Sequence, residues 1–141
     1  MTPRMATLYI IIHCSATRAN QPCTIDDIRR WHVQDRGWSD IGYHWVIERN
    51  GDIQKGREAH LAGAHTLGYN HCSIGICLVG GLGRHGLPED NFTPDQMLAL
   101  EVLVDTLQLR YPGTMVHGHD YFNPYKACPC FSVEDWMDDI K

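Results

Sequence analysis

Met5 to Ile12 is an almost unbroken apolar run that stops on a histidine, His13. Only Thr7 and Tyr9 relieve it, and Ile10-Ile11-Ile12 is β-branched throughout. A strand apolar on both faces has to be covered on both faces, as in sheets with parallel strands and helices on each side. The run is far below the roughly 18 residues of a membrane span, and it lacks the small-residue cleavage site of a secretory signal. Residues 5 to 13 therefore predict a central strand. It delivers a histidine to the end of the sheet, where ligands commonly bind.

The rest of the chain supplies cover for such a strand. Thr24 with Asp27 three residues on marks a helix start, with Ile28, Trp31 and His32 at helical spacing and Gly37 as the stop. Tyr43 to Glu48 reads as a second strand. Asn50-Gly51 predicts a type I′ hairpin into Asp52 to Lys55. Residues 56 to 71 read as an ordered loop holding His60, His65 and His71. Ser73 to Leu78 is a third strand. Thr93-Pro94-Asp95-Gln96 opens a long helix to about Arg110. Its stripe is Met97, Leu100, Leu103 and Leu107, and Leu98, Val102, Val104 and Leu109 predict cover on both flanks. Met115 to His117 is a short strand, 118 to 130 loop, and Ser132 caps a last helix with Trp136 facing in. The expectation is one α/β domain over residues 1 to 141, a mixed central β-sheet flanked by helices on both faces.

The 141 residues carry a formal charge of -5 and no basic block. Nonspecific nucleic-acid binding needs clustered Lys and Arg, so neither nucleic acid nor membrane is expected as a partner. A monomer is the default expectation. Six cysteines could make three disulfides. However, Cys72 and Cys77 bracket one strand on opposite faces, and Cys14 adjoins His13. Free thiols in a reducing compartment are the expectation, with room for one exceptional pair.

The chemistry lies at the two ends of the sequence. His13, His119 and Cys128 form a two-imidazole, one-thiolate set that suits zinc and leaves one coordination position open. That is the pattern of metal-assisted hydrolysis. Each residue also has an ordinary explanation, a strand-end histidine bonding backbone or a small buried cysteine. His117 competes with His119 for the same role, and their spacing puts the two on opposite sides of an extended segment. Lys126 and Tyr43 could assist at a carbonyl, as a positive charge at an oxyanion and as a phenol orienting water. Alone they read equally well as a surface lysine and a core tyrosine.

Together, His13-Cys14-Ser15-Ala16-Thr17, Gly42-Tyr43-His44, His65 with Gly68-Tyr69-Asn70, Ser73 to Gly81, Asn91-Phe92-Thr93 and Lys126-Ala127-Cys128-Pro129 strongly resemble the zinc-dependent N-acetylmuramoyl-L-alanine amidases. This type 2 group shares its fold with the peptidoglycan recognition proteins. The resemblance covers about residues 8 to 136. It implies that peptidoglycan is cut between N-acetylmuramic acid and L-alanine. It also implies His13, His119 and Cys128 as Zn2+ ligands, Tyr43 and Lys126 as catalytic residues, and His65 and Asn70 as positions lining the substrate groove. The chain departs from the pattern in an extra residue between His119 and Lys126. It departs again at Cys130, which could compete for the metal or pair with a neighbouring cysteine.

A short amidase domain with unpaired cysteines fits a phage or prophage endolysin, cytoplasmic at synthesis and acting on the cell wall after release. An interbacterial amidase toxin is the second setting. A non-catalytic peptidoglycan-binding module is the alternative function, opposed by the presence of Cys128. A cysteine peptidase using Cys14, Cys72 or Cys128 is the third.

Overall fold

The computed structural model describes residues 1 to 140. The chain runs β1 (Tyr9–Cys14), β2 (Thr17–Arg18), α1 (Ile25–Arg30), β3 (Trp45–Ile47), β4 (Ile53–Lys55), β5 (Ser73–Leu78), β6 (Gly81–Leu82), α2 (Pro94–Arg110), β7 (Met115–Gly118), α3 (His119–Phe122) and α4 (Val133–Ile140). β1 pairs in parallel with β5 on one side and β7 on the other. β3 extends the sheet in parallel with β5, and β4 closes it antiparallel to β3, giving the order β4-β3-β5-β1-β7. β2 and β6 form a small separate ladder.

Side-chain alternation divides the core in two. Ile10, Ile12, Ile74, Ile76, Leu78 and Ile47 point to the face covered by α2 and α4, where Leu100, Leu103, Val104, Leu107 and Val133 meet them. Val46, Cys77 and Val79 face the other way, onto Ile25 and Ile28 of α1. Helices thus cover both faces of one mixed sheet, as the sequence predicts. No helix among the described residues is long and apolar enough to cross a membrane.

Four local expectations need correction. The first strand begins at Tyr9 rather than at residue 5, because Met5 and Leu8 lie beyond the covered sheet and are 82% and 54% exposed. The 49–51 turn is a three-residue loop with a bulge. Gly51 N–H donates to Glu48 C=O at 2.8 Å, and Gly51, not Asn50, has positive φ, because Asn50 Oδ1 accepts the Asp52 N–H locally. Only one flank of α2 is covered, since Leu98, Val102 and Leu109 are 62%, 54% and 83% exposed. The 118–130 segment contains the single helical turn α3.

The helix caps fall where expected. Asp27 accepts the Thr24 N–H at 2.9 Å, and Thr93 Oγ1 accepts the Gln96 N–H at 3.0 Å. Past Arg30 the first helix widens, Arg36 N–H reaching back to Trp31 C=O at 3.1 Å. Such one-turn widenings often occur at functional sites. Here the turn carries His32 inward and Arg36 to the molecular surface above the sheet end.

Candidate metal centre and active site

β1 and β7 lie in register with Ile12 beside Gly118. The residues that follow, His13 within β1 and His119 at the start of α3, therefore stand side by side, with ring centroids 4.6 Å apart. A Cβ on Gly118 would lie 2.3 Å from Asp120 Oδ1 and 2.7 Å from Pro129, so glycine lets the following loop fold back closely. That loop returns Cys128, whose Sγ accepts the Cys14 N–H at 3.1 Å and whose carbonyl accepts the Asp120 N–H at 2.9 Å. The donor atoms of His13, His119 and Cys128 all lie within 4.8 Å of one another.

The histidines are held in the neutral form a metal requires. Burial pushes His13 well below the usual imidazole range, with His65 and His119 adding to the shift. Burial and then the Lys126 charge lower His119. His13 Nε2 hydrogen-bonds His65 Nδ1 at 2.9 Å and lies 3.3 Å from Thr66 Oγ1. This engages Nε2 and leaves Nδ1, the arrangement by which outer partners fix a ligand's tautomer. His65 Nε2 continues to Ser73 Oγ at 3.4 Å, and Ser73 Oγ–H donates to Tyr69 C=O at 2.7 Å. The His65 ring lies against two glycines, and a Cβ on either Gly63 or Gly75 would approach it to 2.6 Å.

The cleft over these ligands, about 340 Å³, is lined among others by Tyr43, His65 and Lys126. The Tyr43 ring centroid is 5.2 Å from that of His13. Burial, then neighbouring Cys77, Cys128 and Cys14, hold its phenol well above the ordinary range, so it stays protonated. Lys126 is exposed on the rim.

Asn70 is used otherwise. It is absent from the cleft lining, and its Oδ1 accepts the N–H groups of both His65 and Thr66 at 2.9 Å, holding the loop that presents His65. His117 turns away from the cleft, stacked on Tyr121 at 3.8 Å and bonded to Glu134 at 3.1 Å. The structure brings His119 and not its competitor to the site. Asp120 contributes its backbone N–H to the Cys128 carbonyl. His60 and His71 are exposed.

Sequence reasoning missed His32, Arg36 and Trp38, which complete the cleft wall. His32 Nδ1 accepts the Gly42 N–H at 2.9 Å, and burial lowers its pKa to about 4. The Arg36 guanidinium lies over Trp38, 5.2 Å from the ring centroid. The sequence placed His32 on the apolar stripe of the first helix, and only the widened turn over Trp31–Asp35 shows it beside the cleft with Arg36.

Residues 3–131 match the family described as N-acetylmuramoyl-L-alanine amidase. The chain is 44% identical over 137 residues to the endolysin of Klebsiella phage KP32, covering 97% of this chain and 89% of the relative. It is also 44% identical over 135 residues to the endolysin of Escherichia phage T7, covering 96% and 88%. Among solved structures, the N-acetylmuramoyl-L-alanine amidase LysC from Clostridium intestinale URNW superposes with a TM-score of 0.81 at 29% identity, over 95% of this chain and 85% of that one. The fold and the paired histidines with their cysteine define an amidohydrolase, and the chain belongs to the N-acetylmuramoyl-L-alanine amidase family. It is an enzyme that hydrolyses amide bonds of peptidoglycan.

Proposed function

We propose that the enzyme uses Zn2+ held by His13, His119 and Cys128 to cut the bond between the lactyl group of N-acetylmuramic acid and L-alanine. The observation that carries this is the convergence of those three donor atoms within 4.8 Å, from strand ends and a loop far apart in sequence. Two neutral imidazoles and a thiol fit zinc better than the oxygen-seeking magnesium or calcium. When bound, zinc supplies Lewis acidity at the scissile carbonyl and lowers the pKa of a water.

The chain's own residues do the rest. Lys126, on the rim beside His119, places an ammonium where the carbonyl oxygen turns negative. The Tyr43 phenol, kept protonated by burial, donates a hydrogen bond to the substrate oxygen or the attacking water and does not act as a base. His65 holds His13 in its tautomer through Nε2 and forms part of the groove wall. Asn70 supports the groove indirectly, through the loop. The wall of His32, Arg36 and Trp38 encloses the muropeptide on the α1 side.

The biological reading is a phage endolysin, made in the cytoplasm and acting as a monomer on the wall once released. The test is incubation with a defined muramyl-peptide, with and without a zinc chelator, following free stem peptide by mass spectrometry. Chelator-sensitive release restored by zinc is the expected result. Cleavage inside the peptide, or release indifferent to chelation, would overturn it. Tight binding without product would assign the domain to recognition instead.

A further inference from the structure

Two cysteines beside the metal set touch each other without belonging to it. Cys14 ends β1 directly after His13, and Cys130 lies two residues beyond Cys128. Their Sγ atoms are 3.8 Å apart, against about 2.05 Å in a disulfide. Gly81 makes the contact possible: a Cβ there would stand 2.6 Å from Cys14 Sγ and 3.5 Å from Cys130 Sγ. The backbone holds the pair in place, with Cys14 N–H on Cys128 Sγ at 3.1 Å and Cys130 N–H on Ala127 C=O at 2.7 Å. Cys130 also adopts φ of 73°, a left-handed conformation unusual for any residue but glycine. That conformation turns its thiol back toward Gly81, whose carbonyl it meets at 3.3 Å. Cys14 is 7% exposed, while Cys130 is only half-buried, the more open of the two.

We propose that Cys14 and Cys130 form an oxidation site, converted by a low-molecular-weight disulfide to an intramolecular cross-link that leaves Cys128 free to bind metal. The Cys130 sulfur attacks one sulfur of the small disulfide as its proton passes to the departing small thiolate. The small S–S bond breaks, and one small thiol leaves. The Cys14 sulfur, 3.8 Å away, then attacks the Cys130 sulfur of this mixed disulfide, its proton passing to the second small thiol as that leaves. Two protein thiols are oxidised by two electrons, and the small disulfide is reduced to two thiols.

The cross-link ties the end of the central strand to the loop that carries the cysteine ligand. Its ring encloses most of the chain, and long rings restrain the unfolded state most strongly. A reducing compartment keeps the pair open, and an oxidising one closes it. The enzyme would thus gain stability on passing from the cytoplasm to the compartment that holds peptidoglycan.

The experiment equilibrates the zinc-loaded, full-length protein with mixtures of oxidised and reduced glutathione. The samples are then quenched by alkylation and mapped as unreduced peptides by mass spectrometry. A Cys14–Cys130 peptide is expected, with zinc content unchanged and the thermal midpoint raised by several degrees. Cys130→Ser should abolish both the cross-linked peptide and the shift while retaining zinc, and Cys14→Ala should do the same. A cross-link that includes Cys128, a glutathione adduct that stops at Cys130, or free thiols under every condition would overturn the proposal. None of these readouts depends on hydrolysis, so failure here is distinguishable from failure of the amidase reading.

Discussion

Gly75 shows how far single atoms control this site. Its missing side chain is the floor on which the His65 ring rests, and an added Cβ would sit 2.6 to 2.8 Å from three atoms of that ring. Gly75→Ala should displace His65 from His13. Its expected cost is about 1–3 kcal/mol of stability from overpacking, read from the urea midpoint, together with a fall in turnover. At the ligands the outcomes separate cleanly. Cys128→Ser should lose zinc, measured by metal analysis, and lose hydrolysis with it. Lys126→Ala should keep zinc but lose roughly 10²- to 10³-fold in kcat; a variant at full rate would remove Lys126 from the chemistry. The three residues whose donor atoms converge were legible because His13 ends an apolar strand and because Lys126-Ala127-Cys128-Pro129 carries the family resemblance. Asn70 was read through the resemblance as lining the groove, but its bonds to the His65 and Thr66 N–H groups were not legible. An amide side chain that satisfies two loop N–H groups looks the same in sequence as one that faces a substrate.

At the scale of elements, the start of α2 does more than cap a helix. Gln96 is fully buried. Its amide N–H groups donate to the carbonyls of Ile47 and Val79 at 3.1 and 2.9 Å, and its Oε1 accepts the Thr93 N–H at 2.9 Å. One side chain therefore joins β3, the end of β5 and α2. Gln96→Leu keeps the volume but removes these three hydrogen bonds, leaving the Thr93 N–H without its partner while the Ile47 carbonyl keeps the Val79 N–H at 3.0 Å, so a loss of about 1–3 kcal/mol in urea unfolding is expected. The caps at Thr24 and Thr93 were readable because capping is local chemistry. The one-turn widening at Trp31–Asp35 was not, because backbone pairing one residue out of step leaves no mark on the apolar periodicity. That is why the cleft wall of His32, Arg36 and Trp38 emerged only from the fold. Exposure of the outer flank of α2 was unreadable for a related reason: a leucine states its preference for cover, not whether the molecule has a layer to supply it.

Across the molecule, buried neutral histidines link stability to acidity. Burial holds His44 at about 4, where its Nδ1 accepts the Gly75 N–H at 3.0 Å, and His32 is held at about 4 as well. The unfolded chain takes up these protons near pH 6.5, whereas the folded chain resists until about 4, so the unfolded state binds more protons in between. Stability is therefore full above pH 6.5 and declines as pH falls toward 4. His44 alone accounts for at most about 3 kcal/mol of this, and His32, open to the cleft, for less. Urea titrations of the chelated protein at pH 7 and pH 4.5 should show the loss, and a flat profile would contradict it. The sheet order has a further effect on how the enzyme comes into being. Its candidate donors stand at residues 13, 119 and 128, and they meet because β7 lies beside β1 in the sheet. A chain that stops short of Cys128 holds at most two of the three donors, so the set is complete only once the loop after β7 is present. A truncation ahead of Cys128 should therefore leave the two histidines without their thiol partner, which metal analysis of the shortened chain would show.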